Sequence, residues 1–268
     1  WLGKTVYLTA NGTNTFMSLA KVTVTEPGVS YATVTFNFQQ DGEQVVFAFD
    51  EKVASDLAES YGYTDEVVGS VSALDVLVYF DQFTPESAKD FLVLGPTNWV
   101  TKYMGEESTN LTILVNGKQA ADADGKGLMI NQTEVADGDY ILFGVCEDTA
   151  YYLDRYVWLN TADGKPLSGQ SLFANTDLDL VVMGSYAAYG ADGGPDAPVE
   201  EAQLAAMDMV TGKIKPITGK VSDEDGKVTL HIPESMANKT VCLVATGEEM
   251  FSALNVFKVG NVLKETDL

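Results

Sequence analysis

The stretch that most restricts how this chain can fold lies between residues 108 and 148. Leu111, Ile113 and Val115 alternate with Thr112 and Leu114, then run straight into Asn116-Gly117. A period of two marks a strand with one buried face. Asn-Gly suits a two-residue turn in which both positions need positive φ. A second strand pattern, Tyr140 to Cys146, follows an Asp137-Gly138-Asp139 turn. Together these read as the closing strands of a β-rich domain.

Upstream, residues 4–10, 20–26, 31–38 and 44–49 alternate in the same way around Asn11-Gly12, Pro27-Gly28 and Gln40-Asp41-Gly42 turns. Asp50 as N-cap and the Val53–Leu57 spacing predict a short helix over 50–60. Ser70 or Ser72 caps a second helix to residue 80, with Leu74, Leu77 and Val78 on one face. Thr84-Pro85 opens a third over 85–92. Gly95-Pro96 begins a loop carrying Asn98, Trp99 and Tyr103. The aromatic run at 150–158 is either the last strand of this domain or a bridge to the next. Beyond Leu159, strand patterns recur at 178–183, 203–208, 217–221, 227–232, 240–245 and 253–259, and residues 187–199 form a Gly, Pro and Asp-rich loop. Short strands with turns every 8 to 12 residues or so predict an antiparallel sandwich. The expected division is an α+β domain over 1–150 and a sandwich over 151–268.

Hydrophobic residues make up 46% of the 268, enough for a sizeable core. Asp and Glu number 39 against 16 Lys and Arg, a net charge of −23. Phosphate backbones and anionic membranes repel such a chain, so nucleic acid is not an expected partner. No run approaches the roughly 20 apolar residues that span a bilayer, so the chain is not expected to be membrane-embedded. The sequence reads as cut at both ends, and targeting is not read from it directly. Cys146 and Cys242 both sit in strand patterns without a CxxC partner. They read as buried thiols of two separate cores rather than as a disulfide.

Three features in order resemble a bacterial extracellular domain family related to the C-terminal domain of transcobalamin. They are SALDVLVYF at 72–80, ILVNG at 113–117 and VADGDYILFGV at 135–145. The second half is similar to immunoglobulin-like modules of bacterial surface proteins, through ITGKVSDEDGKVTLHI at 217–232 and Pro198-Val199-Glu200-Glu201-Ala202. The resemblances imply a mainly β chain, with a β-grasp-like α+β domain followed by an immunoglobulin-like β-sandwich. They also imply export by a Gram-positive bacterium and a cell-surface or secreted binding role in adhesion or ligand capture.

Candidate chemistry is sparse. His231 is the single histidine, which disfavours a zinc hydrolase, and no Gly-x-Ser-x-Gly elbow supports a serine triad. Carboxylates are numerous enough that a two-acid glycosidase stays open as an alternative, with no pair marked out. Asp122-Ala123-Asp124-Gly125 and Asp223-Glu224-Asp225-Gly226 resemble pieces of calcium loops without the full twelve-residue spacing, and read first as Asp-Gly turns. Asp192, Asp196, Glu200 and Glu201 make a further acidic loop. The aromatic group Trp99, Tyr103, Tyr151, Tyr152, Tyr156 and Trp158 is the expected ligand surface, for a sugar, a corrin ring or a protein. The competing reading is that alternate members fill the junction between domains. The expectation is a non-enzymatic exported binding protein whose partner is an extracellular protein, a glycan or a small molecule such as a corrinoid.

Overall fold

The computed structural model describes residues 5–10, 18–23, 28–40, 43–81, 93–95, 98–103, 106–107, 110–148, 154–186 and 196–262. In the first half, β1 (Thr5–Ala10) and β2 (Ser18–Thr23) form a ladder of their own. β3 (Tyr31–Gln40) and β4 (Glu43–Ala54) make a long hairpin, followed by α1 (Leu57–Ser60). Next come β5 (Val71–Ser72), α2 (Ala73–Asp81), and the small sheet of β6 (Val93–Leu94), β7 (Val100–Tyr103) and β8 (Glu106–Glu107). β9 (Leu111–Val115), β10 (Glu134–Val135) and β11 (Tyr140–Val145) complete this half. The main sheet runs β4-β3-β11-β9, with β3 and β11 parallel at its centre.

Helix α2 starts at a reciprocal cap. The Asp75 N–H donates to Ser72 Oγ at 3.0 Å, and Asp75 Oδ2 accepts the Ser72 N–H at 2.9 Å. Each residue thereby satisfies a donor that the first helical turn leaves orphaned. Asp75 Oδ1 accepts the Ala58 N–H at 2.8 Å and so ties α1 to α2. Asp65 closes the cluster by accepting from Ser72 Oγ. The helix is buried nearly all round and packs on one face of the sheet, where Phe80 stacks on Phe36 with centroids 4.3 Å apart.

Two sequence expectations give way here. The helix expected over 50–60 shrinks to Leu57–Ser60, because β4 continues to Ala54. Val34 pairs with Glu51 and Phe36 with Ala48, so Phe49 and Asp50 together oppose Thr35 in a bulge. Asp50 has φ 55 there and caps nothing, while Val53 is fully buried against the core. The loop after Gly95 also ends sooner than expected, since Val100–Tyr103 is a strand. The Asn116-Gly117 turn forms with φ 52 and 76, yet beyond it only Lys118 bridges back to Val115. The strand that pairs with β9 is β11. Asn116 ties the turn to that strand. Its Nδ2 donates to Asp139 Oδ1 at 2.7 Å, and its Oδ1 accepts the Tyr140 N–H at 2.9 Å. The helix expected over 85–92, the turn at 11–14, the Asp41-Gly42 turn and most of the 187–199 loop lie outside the described residues.

The second half is a β-sandwich. Its strands are β12 (Arg155–Thr161), β13 (Ser171–Ala174), β14 (Thr176–Tyr186), β15 (Ala197–Pro198) and β16 (Gln203–Met207). They are followed by β17 (Ile214–Val221), β18 (Lys227–Ile232), β19 (Thr240–Thr246), β20 (Met250–Ser252) and β21 (Asn255–Val262). One sheet runs β15-β14-β12-β20 with β18 also on β14, and the other runs β13-β21-β19-β16-β17. Val157, Leu159, Leu180 and Val182 from the first face Leu204, Leu243, Phe257 and Val259 from the second. The expectation of wholly antiparallel sheets is corrected at two places. β12 lies parallel to β20 and β13 parallel to β21, because the chain crosses between the sheets within each pair.

The halves are bolted together. Gln39 sits on the outer face of β3 and is 1% exposed. Its Nε2 donates to the Ser252 carbonyl at 3.1 Å and its Oε1 accepts the Ser252 N–H at 3.0 Å, so the side-chain amide pairs with β20 as a neighbouring peptide would. Tyr140 Oη donates to the same carbonyl at 3.2 Å. A Cβ on Gly144 would overlap the Phe251 ring, so this position in β11 must be glycine for the halves to close. Phe47 of β4 packs on Met207, Cys242 and Val244 on the outside of the second sheet. Cys146 and Cys242 are free, buried, and belong to different apolar clusters; burial pushes both thiols up to about 12.

Two outcomes follow. Burial raises Asp75 from 3.8 to about 6, so the folded state holds its proton more tightly than the unfolded chain. Its contribution to stability is therefore fully present below about pH 4 and falls as pH rises towards 6, by up to about 3 kcal/mol. Urea melts across that window should show a shallower decline for Asp75→Asn than for the native chain. At the junction, calorimetry of the native protein should give one transition. Gln39→Ala leaves the buried Ser252 N–H without its partner and costs about 1 to 3 kcal/mol; combined with Gly144→Val it should split the transition in two.

Candidate functional site

At the β9 edge of the first sheet a cavity of about 480 Å³ opens. β9 contributes Leu111, Thr112 and Ile113, and β11 contributes Phe143. Asn98, Trp99 and Val100 form a second wall, and Gln119 with Leu128, Met129 and Ile130 a third.

Local structure sets each wall. Asn98 adopts φ 59 and its N–H donates to the Gly95 carbonyl at 3.0 Å, while the Gly95 N–H donates to the Trp99 carbonyl at 2.8 Å. This tight turn presents Trp99, half-buried, to the opening. The third wall is held by α2. Ile130 and Thr133 carbonyls accept the Leu74 and Ala73 N–H groups at 3.1 and 2.9 Å, supplying the acceptors that the helix start lacks.

The lining is apolar apart from Asn98, Thr112 and Gln119, and no charged side chain lines it among the described residues. A few polar groups in an otherwise apolar concavity of this size suit a ligand held by burial and oriented by a small number of hydrogen bonds. A sugar, whose hydroxyls all require partners, is poorly matched. A second recess of about 330 Å³ has the opposite character, with Asp148, Glu200, Glu248 and Glu249 around Arg155. The Arg155 guanidinium lies over the Tyr186 ring, 5.2 Å from its centroid.

The aromatic group singled out in the sequence is dispersed rather than gathered into one surface. Trp99 lines the cavity. Tyr103 is fully buried; its ring meets Phe143 edge-on at 4.9 Å and its Oη donates to the Leu77 carbonyl at 3.1 Å, so it offers no face to a ligand. Tyr156 packs with Leu114, Leu142 and Phe251 at the junction, where a Cβ on Gly117 would strike its ring. Trp158, half-buried, lies 6.2 Å from Tyr156 on the same outward face of β12. Tyr151 and Tyr152 lie outside the described residues. Sequence reasoning missed Leu111, Ile113, Phe143 and Met129 as site residues. Their alternation marked a buried face, but nothing in it marked where the sheet ends.

The acidic loops are occupied with their own backbones. Asp122 Oδ1 accepts the Asp124 and Lys126 N–H groups at 3.0 and 2.9 Å. Asp223 Oδ1 does the same for Asp225 and Lys227 at 3.0 and 2.8 Å, and Asp225 pairs with Lys227 at 2.7 Å. No group of three or more Asp, Glu, His or Cys that could hold a metal occurs among the described residues. His231 Nδ1 is 2.7 Å from Asp177 Oδ1 on an exposed strand face. Asp75 has both carboxylate oxygens engaged by backbone donors, away from either recess.

No protein-family model matches this chain, and no curated protein matches its sequence. Because each loop's first carboxylate is committed to turn N–H groups, millimolar calcium should leave the thermal midpoint at that of a sodium control of equal ionic strength. Asp223→Ala should cost about 1 kcal/mol through the turn alone. A calcium-dependent rise that this substitution abolishes would reveal a cage instead.

Proposed function

We propose that this chain is the ligand-capturing part of an exported bacterial surface protein and works by binding rather than by bond-making. The observation that carries this reading is the apolar cavity beside Trp99, fixed by α2, β9 and the turn at Gly95. The sandwich then serves as a rigid mount, since the junction leaves the capturing half little freedom to swing. Two features support the affiliations. In the first half the hairpin strands β3 and β4, then α2, then β9 and β11 give a sheet whose first and last strands lie parallel at its centre, the arrangement expected of a β-grasp-like domain. In the second, β12, β14 and β18 face β13, β21, β19, β16 and β17, a division that suits an immunoglobulin-like module.

A corrinoid is the second reading. It is favoured by the SALDVLVYF helix and by the flat indole face at the opening. One titration tests both. The neutral fluorophore N-phenyl-1-naphthylamine should brighten on adding the protein, quench Trp99 and lose at least about tenfold in affinity in Trp99→Ala, in keeping with a central aromatic anchor. Trp158→Phe should bind as the native chain does. Cyanocobalamin should displace the dye if the corrinoid reading holds. Dye binding that is absent, or indifferent to Trp99→Ala, would reject capture at this cavity.

A further inference from the structure

The cavity touches Leu111, Thr112 and Ile113 in succession. Neighbouring strand residues point to opposite faces, so a cavity meeting three in a row runs along the strand's edge rather than over one face. β9 is the last strand of its sheet. Asn116 donates to the Tyr140 carbonyl at 2.8 Å and Cys146 to the Asn110 carbonyl at 2.8 Å. That register points the backbone groups of Thr112 and Leu114 at β11 and those of Leu111, Ile113 and Val115 outward. Lys118 takes both outward groups of Val115, at 2.9 and 3.1 Å. No described residue pairs with the N–H or C=O of Leu111 or Ile113.

An unpaired strand edge is a template for another strand. Here it forms one wall of an apolar cavity, and the side chains of Leu111 and Ile113 point into the same space. That combination sets two demands on an occupant: backbone groups spaced as in a strand, and an apolar side chain on alternate positions. A third demand comes from charge. The chain carries a net −23, and the loop between Gln119 and Leu128 exposes Asp122 and Asp124 against Lys126, so cationic flanks are drawn in and anionic ones repelled.

Building on capture at this cavity, we propose that its occupant is an extended, cationic peptide segment of a protein partner. The segment adds to β9 as a fifth strand, pairs with Leu111 and Ile113, and lowers one apolar side chain between Trp99 and Ile113. Strand addition of this kind draws affinity from main-chain hydrogen bonds and selectivity from the pocket that receives the alternate side chain.

The test uses the full chain and peptides of pattern Lys-Thr-Xaa-Thr-Lys, with Leu, Phe, Tyr or Trp as Xaa. At least one should displace N-phenyl-1-naphthylamine and slow amide exchange at Leu111 and Ile113. N-methylation of the amides of that peptide that face β9 should weaken it about tenfold or more, as loss of two net backbone hydrogen bonds requires. Replacing its Lys residues by Glu should weaken it further at low salt. If the N-methylated peptide binds as tightly as its parent, or if peptides bind without displacing the dye, strand addition is wrong. If the dye binds and none of the peptides displaces it, the occupant is a small molecule and the cavity reading survives alone. If neither dye nor peptide binds, both readings fall.

Discussion

The arrangement of the whole molecule rests on one buried amide. Gln39 lies on a face of β3 that would meet water if the first half stood alone, and its side chain answers the main chain of Ser252 with both of its polar atoms. An amide buried without partners costs several kcal/mol on transfer scales, so the halves can close only in the register that satisfies it. Asn37, two residues earlier on the same face, donates to Tyr140 Oη at 3.0 Å, and Tyr140 in turn donates to Ser252. The polar network thus fixes position. The apolar contacts around it, Phe251 on Gly144 and Phe47 on the second sheet, supply the area that makes closure favourable.

Fixing one face of the sheet has consequences for the other. With the outer face covered by the sandwich and the inner face by α2, Phe36 to Gln39 of β3 and Ile141 to Gly144 of β11 are buried. At β9, one of the two edges of the sheet, backbone and side chains together border an open space. The cavity is therefore a product of how the layers terminate rather than of a dedicated motif. Its walls come from a turn, a strand edge and a loop that follow one another between Asn98 and Ile130, and α2 holds one of them through N–H groups that any helix start must satisfy somehow.

This explains which parts of the molecule could be read in advance. Strand alternation identified most of the long strands, and Ser72 was one of the two residues, with Ser70, that the pattern offered as the α2 cap; the answering role of Asp75 came from the structure. The β4 bulge was invisible, since Asp50 looks like a helix cap until β3 is seen opposite it. Nothing in the alternation of residues 31–38 marked Asn37 and Gln39 as buried; what buries Gln39 is more than two hundred residues away. Among the expected ligand residues, Trp99 reaches the cavity whereas Tyr103 and Tyr156 are spent on packing. Composition supplies flat rings but does not say which layer each one enters. Neither chain affiliation nor a ligand could be drawn from spacing, because short strand and turn patterns recur in unrelated β proteins.

The clamp on Asn116 bears on how the molecule ages. An asparagine followed by glycine is chemically fragile, because the glycine nitrogen can attack the side-chain carbonyl and expel ammonia to close a succinimide, which water then opens to leave an isoaspartyl kink in the backbone. That attack requires the carboxamide to swing free. Here Asp139 and the Tyr140 N–H grip it at either end, and Gly117 is pressed beneath Tyr156. That grip opposes, at the turn that closes β9, the slow covalent decay its dipeptide would otherwise invite.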